Sequence, residues 1–154
     1  MSTTTVFGFF ALSGGQRVQS SRPGATSKTY HCFYDTTVQC TSGMVFPAQL
    51  RVYSPFNDTV HVDDTVAFVV ARTYIPASIP KDTILLEASD VIPLPGDPAS
   101  EEYKAALPDC PCPFVFGLGI VTSHAITLPD GVSKAFSVTA SDYVWDANQM
   151  TSVV

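Results

Sequence analysis

Prolines and glycines divide the apolar residues of this chain into short runs, and this spacing limits the possible folds more than any other feature. The 154 residues include 12 prolines and 9 glycines, and only 14% of them are charged. Short apolar runs bounded by turn-forming residues are typical of β-strands. A hydrophobic content of 45% in a chain of this length is enough to bury a core without disulfides. We therefore expect one mainly β domain that covers residues 1–154.

The clearest alternation of apolar and polar residues lies in the stretch AQLRVYSPF. Leu50 and Val52 fall on one side of it, and Arg51 and Tyr53 fall on the other. This is the period of a half-buried strand, so Arg51 and Tyr53 are predicted on the outward face. Residues 66–71 are apolar on both sides, as in a strand at the centre of a barrel.

One segment carries the signals of a helix. The pattern predicts a short helix over residues 98–107, with Asp97 as a candidate N-cap and Pro108 ending it. Further along the chain, the Pro-Asp-Gly sequence at 129–131 separates two alternating runs and predicts a β-hairpin.

Composition suggests how the rest of the chain is organised. The N-terminal apolar run predicts a strand over residues 1–12. The stretch SGGQRVQSSRPGATSKT is rich in serine and glycine, which predicts a flexible loop over residues 13–29. A β-rich body over residues 30–147 and a tail over residues 148–154 complete the chain. No acidic residue occurs before position 35, so the early cations are candidates for a local basic arm: Arg17, Arg22 and Lys28.

The overall charge bears on the class of ligand. The formal net charge is −6, and the chain has eight Lys and Arg residues in all. Non-specific binding of duplex DNA depends on neutralising several phosphates. A broad electrostatic attraction to nucleic acid is therefore disfavoured.

The N-terminus lacks the features of a targeting or membrane segment. It has no positively charged region, and Gly8 interrupts its apolar run. Neither a signal peptide nor a membrane span is indicated. We therefore expect an intracellular protein with no membrane partner, whose four cysteines are thiols in a reducing compartment.

The motif Cys110-Pro111-Cys112 raises the question of a metal or redox site. A structural zinc site needs four ligands, and the other thiols, Cys32 and Cys40, have no diagnostic spacing. A redox pair is expected in a CxxC arrangement at a helix N-terminus. We therefore expect no metal and no cofactor, and interpret the motif as the entrance to a buried strand, with thiols that behave as small hydrophobic groups.

The candidate catalytic pairs fail on geometry. Asp63 and Asp64 are neighbours on a predicted strand and would point to opposite faces. Ser123 and His124 have the same problem, and no activating motif surrounds them. The sequence therefore predicts a binding protein that is not an enzyme.

The predicted order of elements over residues 44–145 is three strands, the short helix and two strands. This order resembles the OB-fold, a five-stranded Greek-key barrel, with the N-terminal strand as an addition. A β-sandwich with an inserted helix is the alternative architecture. The resemblance implies ligand binding on the face of the second and third strands, where single-stranded nucleic acid is held by aromatic stacking and a few cations. The candidate ligand-binding residues are Arg51, Tyr53, Arg72 and Tyr74, and their alternative role is to cover the end of the barrel.

Two binding functions remain open at this point. The first is single-stranded nucleic-acid binding through this strand face. The alternative is a protein-interaction or assembly module with an acidic surface, whose partner is another protein or a second copy of the chain. Its candidate interaction residues are Phe7, Phe9 and Phe10, which lie beside the predicted loop. If they make no such contact, they belong to a strand that completes its own sheet.

Overall fold

A computed structural model describes residues 2–20, 29–55, 59–77 and 82–153. These residues form strands and one short helix. In chain order the elements are β1 (Thr3–Ser20), β2 (Thr29–Gln39), β3 (Val45–Ser54), β4 (Thr65–Tyr74), β5 (Ile84–Pro93), α1 (Glu101–Ala105), β6 (Phe114–Leu118), β7 (Ile120–Val121), β8 (Ile126–Thr127), β9 (Lys134–Ala135), β10 (Val138–Val144) and β11 (Ala147–Val153).

The first five strands close into a ring. Their order is β1-β2-β3-β5-β4, and β4 pairs with β1 again to complete the circle. The β3–β5 pair is parallel, whereas the other pairs of the ring are antiparallel. This arrangement confirms the predicted mainly β, OB-like barrel with one short helix.

The strands of the ring differ from those that the sequence predicted. We expected the barrel over residues 44–145, but its first strand is β1, and the helix and the later strands follow the ring. The predicted loop at 13–29 is wrong for residues 13–20, which belong to β1, and for Thr29, which opens β2. Most side chains in this part of β1 are exposed, so pairing is possible without the apolar alternation that marks a strand. Residues 21–28 lie outside the described residues.

A pair of glycines lets β1 serve two partners. Its first half pairs with β4, its second half pairs with β2, and the register shifts between Ser13 and Gln16. Gly14 adopts φ +60°, and a Cβ on Gly15 would lie 2.3 Å from Cγ1 of Val60. Only glycine satisfies both the conformation and the close approach, so this pair marks the bend that closes the barrel.

The core lies inside the ring. Alternate residues of β4 are buried and the intervening ones are half-buried, which confirms that this strand is covered on both faces. The buried cluster consists of Val6, Phe10, Leu12, Cys32, Tyr34, Ala48, Leu50, Ala67, Val69, Ala71, Ile84 and Leu86. Nearly all of it comes from apolar positions that alternate with outward ones along the five strands.

The helix is shorter than predicted and is fixed to the barrel by one tyrosine. It begins at Glu101, and the Oγ of Ser100 accepts a hydrogen bond from the amide of Tyr103, so Ser100 and not Asp97 is the N-cap. The Tyr103 hydroxyl accepts from the amide of Val66 at 2.7 Å and donates to its carbonyl at 3.4 Å. This buried side chain therefore attaches α1 to the start of β4.

The C-terminal strands form two small additions to the ring. The predicted hairpin is confirmed as β8–β9, where Gly131 has φ +74° and Asp130 Oδ1 accepts from the amides of Val132 and Ser133. Each arm is only two residues long. The predicted tail at 148–154 is wrong for residues 148–153, because β11 pairs with β10 along its whole length, and residue 154 lies outside the described residues.

The strand after the Cys110 and Cys112 motif is not buried. All five residues of β6 are exposed, because the strand pairs with β1 at the edge of the sheet. The interpretation of the motif as the entrance to a buried strand is therefore wrong. Both thiols are half-buried, and the residues that the structure describes contain no group of three or more side chains placed to hold a metal ion. Within the same ranges, no helix has the length and apolar character needed to cross a bilayer.

Candidate ligand-binding face

The outer face of β2 and β3 carries a cluster of aromatic side chains. His31 lies opposite Tyr53 in the strand register, and their rings contact edge to face with centroids 6.2 Å apart. Phe33 follows His31 on the same face, and its ring and that of Trp145 pack edge to face with centroids 5.2 Å apart. His31, Phe33 and Tyr53 come from alternate positions of two paired strands, which is why they share one surface.

Arg51 lies in the middle of this face but is buried. It is 7% exposed, and its guanidinium contacts Glu87 at 2.6 Å and Asp146 at 2.5 Å. Burial lowers the pKa of Arg51, but the hydrogen bonds that its guanidinium donates to Asp146 and Glu87 outweigh that effect and hold the pKa above its usual range. The outward direction of Arg51 was predicted correctly, whereas its exposure was not, since two carboxylates cover it.

The covering group is the turn between β10 and β11. Trp145 and Asp146 both have positive φ, at 53° and 63°, the conformation of a tight two-residue hairpin turn. The Trp145 indole donates to the carbonyl of Leu86 at 3.0 Å, and its amide donates to Glu87 at 3.1 Å. Non-glycine residues rarely adopt this conformation, so these contacts are needed to hold the turn on the face.

Arg72 lies on the same side of the barrel, on β4, with β5 between it and the strand of Arg51. It pairs with Glu87 in the β4–β5 register, as Arg51 does in the β3–β5 register. Its guanidinium lies 3.8 Å from Asp142 of β10. Both predicted arginines therefore face an aspartate of the C-terminal hairpin, which limits the positive charge that this face offers to a ligand. Tyr74, two residues farther along β4, is half-buried and lies opposite Leu85.

The part of the face beyond the turn is open. Tyr53 is 62% exposed at the end of β3. Burial lowers the pKa of His31, and the charge of Arg51 lowers it further, while Glu87 and Asp146 oppose the shift. A neutral imidazole beside an exposed phenol offers two ring surfaces for stacking.

A groove of about 370 Å³ adjoins Tyr53. The pairing of β3 with β5 ends at Arg51 and Glu87, and β5 then carries a register shift opposite Val70 and Ala71. The two strands therefore separate beyond this point. The lining residues are Val52, Tyr53, His61, Ala88, Ser89, Asp90, Val91 and Pro93. We call the combination of His31, Tyr53, Ser89 and Asp90 the strand-end surface.

The predicted basic arm is only partly described. Arg17 lies in β1 with its guanidinium 4.4 Å from the ring centre of Tyr30, and it donates to Ser54 and to the carbonyl of Pro55. Tyr30 precedes His31 in β2, so it points to the other side of the sheet. Arg22 and Lys28 lie outside the described residues.

The three candidate interaction phenylalanines separate into two environments. Phe10 is 2% exposed inside the barrel, so it is not available for an interaction surface. Phe7 and Phe9 are half-buried on the outer face, where Phe7 stacks on Phe114 and Phe9 packs edge to face with Phe68. The alternation of β1 separates Phe10 from the other two.

Sequence reasoning identified Tyr53 but missed His31 and Phe33. In the stretch TYHCFYDTTVQ, Cys32, Tyr34 and Thr36 are buried and alternate with His31, Phe33 and Asp35. That alternation was visible in the sequence and could have placed the two aromatic residues on the outward face.

Comparisons with known proteins leave the family open. No protein-family model matches the sequence, and no curated protein gives a significant match. Among solved structures, the chain is similar to a deletion mutant of the single-stranded DNA binding protein from Thermus aquaticus, with a TM-score of 0.48 and 13% identity. The similarity covers 98% of this chain and 74% of the other. At this score and identity it carries no functional conclusion.

Proposed function

We propose that the protein binds single-stranded nucleic acid through the strand-end surface. The observation that carries the proposal is the exposed ring of Tyr53 beside His31, at the mouth of a groove between separated strands. Aromatic rings on the outer face of a small barrel accept unpaired bases by stacking, which requires no particular sequence. A stacked base would place the next nucleotide near Ser89 and Asp90.

The charges of this region favour recognition of bases over recognition of phosphates. Arg51 and Arg72 both face carboxylates, and the chain has a net charge of −6. The hydroxyl of Ser89 and the carboxylate of Asp90 can accept hydrogen bonds from the exocyclic amines of bases. We expect modest affinity and a shallow salt dependence, with log K falling by roughly one to two per unit of log salt, since each phosphate contact on a single strand contributes about −0.7.

Fluorescence anisotropy of labelled mixed-sequence single-stranded DNA and RNA, at low and moderate salt, tests the proposal. Tyr53→Ala should weaken binding by roughly 5- to 100-fold, because stacking of one base contributes about 1–3 kcal/mol. Tyr143→Ala is the matched control, since Tyr143 is also exposed but lies on β10. The proposal fails if neither nucleic acid binds at low salt, or if the two variants bind equally well.

A further inference from the structure

The strand β6 lies at one edge of the sheet, and its outer edge has no partner strand in the described ranges. It pairs with β1 through five residues, from Thr3 opposite Leu118 to Phe7 opposite Phe114. In the described ranges no strand pairs with its other edge. An open edge presents backbone amides and carbonyls in the arrangement that another strand can extend.

The side chains of β6 continue an aromatic surface that begins on the barrel. Phe7 stacks on Phe114 with ring centroids 5.4 Å apart, and Phe9 contacts Phe68 of β4 at the same distance. Phe114 and Phe116 share a face of β6 and are 61% and 63% exposed. We call this set, Phe7, Phe9, Phe68, Phe114 and Phe116, the phenylalanine face. Contiguous exposed apolar surface of this kind marks a site of protein contact.

The charge distribution favours a second copy of the chain at this edge. Residues 110–129 contain no Lys, Arg, Asp or Glu, although the whole chain has a net charge of −6. Two acidic copies repel each other across most of their surfaces, and this uncharged segment is where they can approach without that cost. Charged side chains that commonly protect an edge strand from self-association are missing from β6.

We propose that β6 pairs antiparallel with β6 of a second copy, about a two-fold axis that passes through Phe116. In this register Phe114 lies opposite Leu118 of the other copy, and Val115 lies opposite Gly117. A large side chain therefore meets a smaller one at each of these positions, which suits close cross-strand packing. The same surface is used on both copies, so the assembly closes as a dimer and does not grow further.

The strand is short, so its backbone bonds alone do not hold two copies together. Stable interfaces bury on the order of 800 Å² per partner, and the phenylalanine face has to supply much of the apolar part. We expect a moderate dimer with a Kd on the order of 10 μM. The strand-end surface lies at the end of β3 and takes no part in this contact, so the dimer does not depend on nucleic-acid binding.

Sedimentation equilibrium of the full chain, from about 1 to about 200 μM, tests the dimer. The wild type should pass from monomer to dimer over this range, and Phe116→Lys should weaken the association at least roughly tenfold, because it places a charge on the two-fold axis. Val62→Lys is the matched control: Val62 is 65% exposed but lies in the segment before β4. Its association should equal that of the wild type.

Three outcomes overturn the proposal. The first is a wild type that stays monomeric throughout, as expected if β6 instead receives a strand of a different protein. The others are a Phe116→Lys variant that associates as the wild type does, and equal weakening of association by both lysine variants. If circular dichroism shows that the Phe116→Lys variant does not fold, Leu118→Lys is used in its place, and the same weakening of association is expected. Hydrogen exchange of the wild type gives an independent check, since the β6 amides should exchange more slowly at dimer concentrations. Unchanged exchange there also contradicts the proposed pairing.

Discussion

Arg51 and Asp146 are 95 positions apart in the chain, yet the guanidinium of one and the carboxylate of the other are 2.5 Å apart in the structure. This contact joins the third strand of the barrel to the last hairpin. Glu87 binds the same guanidinium from the neighbouring strand. One buried cation therefore connects three parts of the chain that lie far apart in sequence.

The two carboxylates should differ in what they contribute to stability. Arg51→Ala removes the charged partner of Glu87, whose side chain is only 12% exposed, and leaves the Trp145 amide as its remaining donor, so we expect a loss of about 3–5 kcal/mol. Asp146 is 51% exposed, so Asp146→Asn should cost no more than about 1 kcal/mol. Urea denaturation measures both values, and equal losses would contradict the buried pairing of Arg51 with Glu87.

The glycines of the chain should respond to alanine according to the space around them. At Gly15 a Cβ would lie 2.3 Å from Val60 and 2.8 Å from the ring of Tyr34, so Gly15→Ala should destabilise the fold by about 1–3 kcal/mol. Gly117→Ala is the control, because nothing lies within 4 Å of its Cβ position, and its effect should stay within about 0.5 kcal/mol. Thermal or urea unfolding measures the stability of both variants. A Gly15→Ala variant as stable as the wild type would argue against the bend in β1.

The Tyr103 hydroxyl should matter more than that of an exposed tyrosine. Tyr103→Phe removes the side-chain acceptor for the amide of Val66, a residue that is half-buried, and the loss of this bond should cost about 1–3 kcal/mol. Tyr143→Phe changes a residue that is 46% exposed and should cost less than about 0.5 kcal/mol. Unfolding free energies from urea titrations compare the two, and equal values would mean that α1 is not held by this bond.

How far the sequence predicts the structure depends on whether a feature is local. The alternation around Leu50, the Pro-Asp-Gly turn and the helix are local, and each was found with errors of a few residues at its ends. The direction of Tyr53 follows from the same alternation. The position of Tyr53 at the mouth of a groove cannot be predicted from that alternation, because the groove depends on where β3 and β5 separate.

Features that depend on distant parts of the chain were not predictable in this way. The polar second half of β1 forms a strand because β2 pairs with it, and its exposed side chains gave no alternation to detect. Arg51 is covered because a turn 95 residues later reaches it. No local sequence pattern around Arg51 predicts that contact. From the alternation alone, Arg51 is expected to be exposed and available to a ligand.

His31 should give the unfolding free energy a pH dependence near neutrality. Its pKa in the folded protein lies below its usual value of 6.5, first because of burial and then because of Arg51. The unfolded chain therefore binds more protons between the folded pKa and 6.5, so stability rises with pH across that window and falls on acidification. His31→Gln and His31→Phe should both reduce this slope, and the second variant keeps an aromatic ring. Urea titrations from pH 5 to 8 measure the difference, and a slope identical to that of the wild type would exclude His31 as its source.

Asp146 should limit nucleic-acid binding at the strand-end surface. Its carboxylate acts on His31 electrostatically and neutralises part of the charge of Arg51, so it repels a phosphate that approaches the exposed ring of Tyr53. Asp146→Asn should tighten binding of single-stranded DNA by about two- to fivefold at low salt, and the gain should shrink as salt rises. Asp82→Asn is the control, since it removes the same charge far from Tyr53. Asp82 lies two residues before Ile84, which pairs with Ala48 toward the other end of β3. Anisotropy titrations of both variants separate a local effect from the net charge: equal tightening would attribute it to the overall charge, and no change in either would place the bound strand away from this face.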